Sequence, residues 1–474
     1  MLSLGDTIAA AATGGGPAGL AVVRVSGPGA LGVADAVFRG ATALSAAPTH
    51  TLHHGWAVAP PTRAGPALAR LEPSAGATLD EVVVAVFRAP RSYTREDVVE
   101  FSCHGGEWSA RRLLASLLAS GARLAGPGEF TLRAFLNGRL DLAQAEAVAD
   151  VIHAATSRAH ELALSQLKGE LSARLEAIGE RLADAVAEVE ARVDFAEDVG
   201  GIEVPAHVVA AIEGVDRELA ELLAASSFAR AVREGLRVPL VGRPNVGKSS
   251  LFNALVGEDR AIVAAVPGTT RDRVSETIDL EGIRVTLSDT AGLRATPEPV
   301  EALGIARTER AIEEGAAVLW VVDGSAPLCD EDHSVAARLK GRRITIALNK
   351  RDRPGVVRVE EAQALAGGHA PVVAVSATRG EGVDELRATL ACELGLESGE
   401  RSLAVAVSTP RHIEALERAK EALGRGITAA RAAAPGEIVA LELGEALRAI
   451  GEVTGRAASE DLLERIFSRF CIGK

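Results

Sequence analysis

The stretch LRVPLVGRPNVGKSSLFNALVG (residues 236–257) decides the fold at the middle of this chain. Within it, GRPNVGKS (242–249) fits G-x-x-x-x-G-K-[ST]. In that pattern, backbone N–H groups at a helix N-terminus cradle phosphates. LRVPLV reads as the strand before the loop and SLFNALVG as the helix after it, the setting the loop needs. Asn245, Val246, Gly247, Lys248, Ser249 and Ser250 are therefore expected around a nucleotide, with Lys248 at the β and γ phosphates and Ser249 at Mg²⁺. Pro239 is out of keeping with a central strand, because it removes a ladder donor.

Working outward, three companions follow in order. DTAG (289–292) comes after the strand-like IRVTLS and places Asp289 and Gly292 near the phosphates. NKRD (349–352) follows ITIAL, and SAT (376–378) follows VVAV. The Asp352 carboxylate can take the N1 and N2 protons of guanine, which adenine does not offer; Asn349, Lys350, Ser376, Ala377 and Thr378 complete that end. PGTTRD (267–272) stands where a switch segment belongs, with Thr270 placed to close over Mg²⁺ and the γ-phosphate. Ras-type hydrolysis uses a glutamine just after DxxG to orient water. Leu293 holds that position here, so water activation must come from elsewhere. Asn245 is placed to ligate a monovalent cation, whose charge can do what an arginine finger does in other systems.

The flanks read differently. Up to about residue 126, LAVVRVSG and LDEVVVAVFRAP predict strands, and SARRLLASLLASGAR predicts a helix ended by Gly121. VAPPTRAGPALARLEPSAG between them predicts an irregular loop. Leu167, Leu171, Leu175, Ile178, Leu182, Val186, Val189 and Val193 fall on one stripe of a long helix, weakened by Gly169 and Gly179. VPAHVVAAIEGVDRELAELLAAS predicts a second helix with Pro205 in its first turn, and STPRHIEALERAKEAL a later one with Thr409 as N-cap and Pro410 at the first helical position. From 236 to about 392, strands alternate with helices, the mark of an α/β unit with a mostly parallel sheet. The chain is thus expected to be multidomain, α+β and α/β: an N-terminal α+β domain (1–126), a discontinuous helical domain (127–232 and 393–474), and an inserted Ras-like G domain (233–392).

Composition sets outer limits. A chain of 474 residues is too long for one core. A net charge of −13 argues against a generally basic nucleic-acid binder. Cys103, Cys329, Cys392 and Cys471 form no CxxC pair, so neither a zinc site nor a disulfide framework is indicated. The start lacks a basic segment followed by a long apolar one, and no apolar run reaches a membrane span, so a cytoplasmic location without membrane is expected.

DTIAAAATGGGPAGLAVVRVSG, RSYTREDVVEFSCHGG, GPGEFTLRAFLNGRLDLAQAEAVAD, GRPNVGKSSLFNAL, GTTRD, DTAGLR and CIGK together resemble the MnmE (TrmE) family of tRNA modification GTPases. The resemblance runs from residue 6 to residue 474. It implies a potassium-stimulated, GTP-hydrolysing homodimer whose N-terminal domain dimerises and binds a tetrahydrofolate, either the 5,10-methylene or the 5-formyl derivative. It implies an FAD-dependent partner, MnmG, with which an aminomethyl or carboxymethylaminomethyl group is added at C5 of the wobble uridine of certain tRNAs. By the same resemblance, Arg24, Glu100, Arg139 and Lys474 form the folate site; Ser249 and Thr270 hold Mg²⁺; Asn245, Ala264, Val266 and Thr269 hold K⁺; and Glu301 positions the water. The family commonly has lysine where Arg139 stands and often threonine where Ala264 stands; ATPEP beside Glu301 departs from its usual acidic run.

Plainer readings stand beside these. Arg24 and Glu100 also suit a structural ion pair, and Glu301 a solvated helix position. Cys103–His104 has the look of chemistry, but nothing completes a metal or nucleophile set. CIGK has the cysteine of a prenylation box, yet its lysine and glycine do not suit one. A frayed end is a second reading, and a tail reaching the folate site is the one that fits best. Cys471 is then a nucleophile, the acceptor of a one-carbon adduct, or packing. One rival function is a GTP-switched RNA or ribosome assembly factor, which predicts a basic module beside the G domain; another is a folate-dependent one-carbon transferase with the GTPase added as a regulator.

Overall fold

A computed structural model describes residues 5–14, 16–61, 75–194, 203–257, 275–289, 310–396, 405–456 and 458–474. It divides into two compact units, residues 1–149 with 450–474 and residues 150–449.

The first unit is built on a seven-stranded sheet, β1 (Ile8–Ala11), β2 (Leu20–Ser26), β3 (Phe38–Gly40), β4 (Thr51–Val58), β5 (Thr78–Phe87), β6 (Val98–His104) and β7 (Arg123–Leu124), in the order β3-β4-β5-β6-β2-β1-β7. Alternation along the strands buries one set of side chains. Val23 and Val25 of β2, Val82, Val84 and Val86 of β5, and Val99 and Phe101 of β6 pack with the helices Ala30–Val37 and Glu107–Ala119. The opposite set on β2 and β6 includes Arg24 and Glu100, which are register partners.

Residues 127–149 and 450–474, expected within the helical domain, fall in this first unit. Ion pairing explains much of that. Arg133, on the helix Glu129–Leu136, is 1% exposed and pairs with Asp6 (2.6 Å), Glu96 (3.2 Å) and Glu129 (3.0 Å). Arg123 joins Asp6 and Glu129, each at 2.6 Å. A buried guanidinium needs such partners, and here they tie the helix to the strand ends. The helix Glu460–Phe467 then leads to residues 471–474, where Ile472 bridges Pro127.

The second unit carries a six-stranded sheet: β8 (Leu236–Val241), β9 (Ser275–Leu280), β10 (Ile283–Asp289), β11 (Val318–Asp323), β12 (Ile344–Asn349) and β13 (Val372–Ala374). Its order is β13-β12-β11-β8-β10-β9, parallel except for β9. This is the α/β sheet expected from the alternating pattern. β11 is buried throughout, as a strand covered on both faces must be. Pro239 is accommodated one residue before the ladder to β11 begins, opposite Gly315, where a Cβ would lie 2.8 Å from the proline ring.

One expectation needs correction. Leu167 does not share a helix with Leu171 and its successors. The helix Ser157–Leu167 ends, Gly169 adopts φ 84°, and a new helix runs Glu170–Asp194. A left-handed residue breaks the helical hydrogen-bond ladder, which the apolar spacing alone does not reveal. Within the second helix, Leu171, Leu175, Ile178, Leu182 and Val189 are buried as expected, while Val186 and Val193 are only half-buried. Pro205 caps the helix Ala206–Ala224 rather than entering its first turn. Thr409 precedes Pro410 at the start of Pro410–Arg431, but its hydroxyl makes no capping bond.

Helices before and after the sheet pack together. Ala206–Ala224 buries Val208, Ile212, Val215 and Leu219, and Pro410–Arg431 buries Leu416, Ala419 and Leu423. Asp216–Lys420 (3.4 Å) and Glu213–Arg431 (2.6 Å) join their edges. The two flanks of the sheet meet at one cavity, lined by Arg233 on one side and Ser408 on the other. Gln166, 3% exposed, closes it by donating to Ala406 O and Ser408 Oγ, both at 3.1 Å. Among the described residues, no helix is long and apolar enough to cross a membrane.

Candidate nucleotide site and a cationic corner on the N-terminal sheet

β8 ends at Val241, and the helix Lys248–Val256 begins seven residues later, so GRPNVG (242–247) forms the loop between strand and helix. Three residues set its curvature, Gly242 at φ 148°, Asn245 at φ 62° and Gly247 at φ 97°. Gly247 has a second reason to lack a side chain, since a Cβ there would run into the Asn349 amide. Asn349 Nδ2 donates to Val246 O at 2.8 Å, and Asn349 Oδ1 accepts from Ala377 N at 3.1 Å. One buried amide thus binds the phosphate loop, NKRD and SAT to each other. Lys248 Nζ donates to Gly242 O and Arg243 O, each at 2.7 Å. Ser249 and Ser250 are exposed in the first turn of the helix, where N–H groups and dipole favour an anion.

At the guanine end, Ser376 donates to Asp352 Oδ1 at 2.7 Å and lies 3.2 Å from the Thr378 hydroxyl. The Ser376 hydrogen bond holds the Asp352 carboxyl below the usual carboxylate range, so it stays an acceptor for guanine protons. Lys350, at φ 71°, pairs with Asp323 at 2.6 Å. Asp323 closes β11 and was not singled out from sequence, although a carboxylate ending an otherwise apolar strand is a readable signal. Asp289 is the last residue of β10. Ala264, Val266, Thr269, Thr270, Gly292 and Glu301 lie outside the described residues, as does Leu293.

In the first unit, Arg24 Nε meets Glu100 Oε1 at 2.7 Å. The Arg24 guanidinium lies 5.1 Å from the centre of the Tyr93 ring and 5.5 Å from that of Phe130. Arg139 lies 4.7 Å from the same tyrosine ring and donates to Tyr93 O at 2.9 Å. The Tyr93 hydroxyl is fixed by Thr131 at 2.8 Å. Arg24, Glu100 and Arg139 are therefore brought together around Tyr93, a residue the sequence reading did not pick out. Arg24 Nη1 is buried with no partner among the described residues. An orphaned guanidinium N–H beside an aromatic ring fits an anionic, flat ligand.

Residues 471–474 run beside β1. Gly128 N donates to Cys471 O at 3.3 Å, and a Cβ on Gly473 would collide with Ala11 O. Ala11 follows Ala10, the register partner of Arg24. The segment thus lies one strand away from Arg24, and Lys474 is half-buried there. Its ammonium makes no hydrogen bond or ion pair among the described residues, and Cys471 is an exposed free thiol. Cys103 and His104 separate: Cys103 points into the core, where burial pushes its thiol up to about 11, while exposed His104 pairs with Asp80 at 2.6 Å. Alternation along β6 sends neighbours to opposite faces.

A phosphate loop joined through one asparagine to a guanine-reading NKRD segment defines a P-loop GTPase. Family models match over residues 7–139 (GTP-binding protein TrmE N-terminus) and 142–471 (MnmE helical domain). Curated relatives called tRNA modification GTPase MnmE are similar over nearly the whole chain. That of Symbiobacterium thermophilum is 45% identical, with 99% of each chain covered. That of Moorella thermoacetica is 44% identical over 99% of this chain and all of its own, and that of Geobacter sulfurreducens 43% identical over 99% of each. Among solved structures, the G domain of the T. maritima FeoB iron transporter is 29% identical, covering 33% of this chain and 98% of its own, with a TM-score of 0.27. The chain belongs to the MnmE/TrmE family of tRNA modification GTPases.

Proposed function

We propose that this GTPase works in the cytoplasm as a homodimer and, with the FAD-dependent partner MnmG, adds an aminomethyl or carboxymethylaminomethyl group at C5 of the wobble uridine of certain tRNAs. The labour divides among an N-terminal folate-binding and dimerising domain (1–126), a helical domain (127–232 and 393–474) and the G domain (233–392). The observation that carries the nucleotide part is the Asn349 side chain, which joins the phosphate loop to SAT. GTP enters with its guanine at Asp352, whose two oxygens accept from N1 and N2. Lys248, already aimed along the loop by two carbonyls, meets the β and γ phosphates. Ser249 and Thr270 would hold Mg²⁺, which neutralises charge developing on the transferred group. Asn245, Ala264, Val266 and Thr269 would hold K⁺, a second source of positive charge at the phosphates.

With leucine at 293, orientation of the attacking water falls to Glu301. Glu301→Ala leaves GTP affinity within a few-fold and lowers turnover by roughly 10²-fold, the scale of general-base loss. Loss of affinity instead marks a structural residue. Equal turnover in Na⁺ and K⁺ removes the potassium site.

In the N-terminal domain, the half-satisfied Arg24 beside Tyr93 supports a tetrahydrofolate with anionic glutamyl carboxylates. That cofactor supplies the one-carbon unit. Arg24 and Arg139 bind and orient it, Glu100 fixes Arg24, and Lys474 adds an ammonium from the neighbouring segment. Cys471 offers an exposed free thiol in the same segment, as a nucleophile, as the acceptor of a one-carbon adduct or as packing. The deciding experiment is mass spectrometry of wobble nucleosides from a strain lacking the protein, complemented by the wild type, Arg24→Ala or Cys471→Ser. Normal modification without the protein overturns the reading.

A further inference from the structure

A chain of four charges links the two ends of the nucleotide site. Arg243 is the second residue of the phosphate loop, and its guanidinium stands between two carboxylates. Nε lies 3.3 Å from Asp332 Oδ2, and Nη2 lies 4.0 Å from Asp323 Oδ2. Asp323 Oδ2 also takes Lys350 Nζ at 2.6 Å, while its other oxygen accepts from Ser325 N and Oγ. Asp332, in the first turn of the helix Asp330–Arg338, accepts from Cys329 N at 3.2 Å. The order Lys350, Asp323, Arg243, Asp332 alternates in sign along its length.

Burial gives these contacts weight. The Asp332 side chain is 1% exposed and that of Asp323 10%. Charges so placed are screened little and are costly without partners. Burial opposes ionisation of Asp323, yet Lys350 and Ser325 hold its carboxyl below the usual range. Asp323 is thus one anion shared by two cations, one from the segment that reads guanine and one from the loop that holds phosphates.

From this geometry we infer that Arg243 is a positioning residue that couples the seating of the guanine base to the shape of the phosphate loop. The coupling has a short route. Arg243 O is itself one of the two carbonyls that hold Lys248 Nζ. Anchoring of the Arg243 side chain therefore reaches the lysine aimed at the phosphates through one residue's own backbone. Asn349 ties the other end of the loop through Val246 O. The loop is held at residue 246 by an amide and at residue 243 by charge.

This inference rests on the guanine-nucleotide reading, and its test separates the two. The full chain is titrated with a fluorescent N-methylanthraniloyl GDP. Arg243→Met alone strands the buried Asp332, so it is placed in an Asp332→Asn background, where no charge is stranded. There it weakens GDP-analogue binding roughly tenfold, the size of a coupling between groups in one network. With Asp323→Asn and Lys350→Met also present, so that again no charge is stranded, the same change costs less than about twofold, because no shared anion joins the two segments. Arg243→Lys in the Asp332→Asn background recovers most of the affinity. The inference is overturned if Arg243→Met costs less than about twofold beside Lys350, or if the two losses simply add. If the unmodified chain takes no GDP analogue, the nucleotide reading itself falls.

Discussion

The two cationic sites differ in how their charges are held. In the G domain, Lys248 is held by loop carbonyls and Lys350 by Asp323. On the N-terminal sheet, Arg24 has one carboxylate partner, an aromatic face and one buried N–H without a partner, while Arg139 rests on the same tyrosine. The first site is built from short runs of consecutive residues, each directly after its strand. The second is assembled from β2, β6, the segment holding Tyr93 and the turn holding Arg139. A local loop carries its geometry in its own spacing, whereas an assembled site needs the sheet register before its members meet.

The sharpest way to break this comparison is to remove the central cation of each site. Lys248→Ala lowers GTP turnover by roughly 10²–10³-fold, the usual loss for a preorganised electrostatic contact. Binding of 5-formyl-tetrahydrofolate, read by calorimetry, stays unchanged; a parallel loss of both means the two sites are not separable. At the guanine end, Asp352→Asn replaces one of two acceptors by a donor. It weakens GDP binding by roughly 10–100-fold, the worth of a charge-assisted hydrogen bond. It also turns preference toward xanthosine diphosphate, whose C2 carbonyl accepts where guanine donates. A variant that still favours guanine removes Asp352 from base reading.

Arg24→Ala has a smaller effect of the opposite selectivity. It weakens folate binding by roughly tenfold or more, the range for a hydrogen bond to a charged group, and leaves GTP turnover within twofold. Unchanged folate affinity assigns Arg24 and Glu100 to sheet stability alone. The smallest effect is on acid stability. Arg123 and Arg133 hold the Asp6 carboxyl below its ordinary value. For Glu129, burial works the other way, but the Arg123 and Arg133 hydrogen bonds and the Gly126 N–H win and lower it too. Depressed folded-state values contribute stability that is complete above the ordinary carboxylate range, near pH 4, and is lost as pH falls through the folded values. Thermal unfolding between pH 6 and 3 therefore shows a steeper acid loss for the wild type than for Glu129→Gln. Equal slopes show that this network does not govern acid unfolding.

Legibility followed the same division. The phosphate loop, NKRD and SAT could be placed from spacing, because each follows its strand directly. The joining role of Asn349 could not, since it depends on β8 and β12 lying on either side of β11. Arg24 and Glu100 stand 76 residues apart, and only family resemblance connected them before the register did. Tyr93 escaped notice because a lone tyrosine in a turn carries no periodic signal. The break at Gly169 escaped because the apolar steps continue across it.

The cavity that joins Arg233 to Ser408 has a consequence for the order in which the chain can fold. Glu213 and Arg431, partners across two packed helices, are 218 residues apart. At synthesis rates of about 5–20 residues per second, the first helix waits on the order of ten to forty seconds for its mate. During that interval Ile212, Val215 and Leu219 have no apolar cover from Leu416 and Leu423. Because both ends of the inserted sheet converge on Gln166, an insert that folds first closes the gap as a compact body rather than as a long loose loop, and the entropy of closure is correspondingly small. The nascent chain keeps this apolar face open to aggregation, and to chaperones, until Pro410–Arg431 emerges.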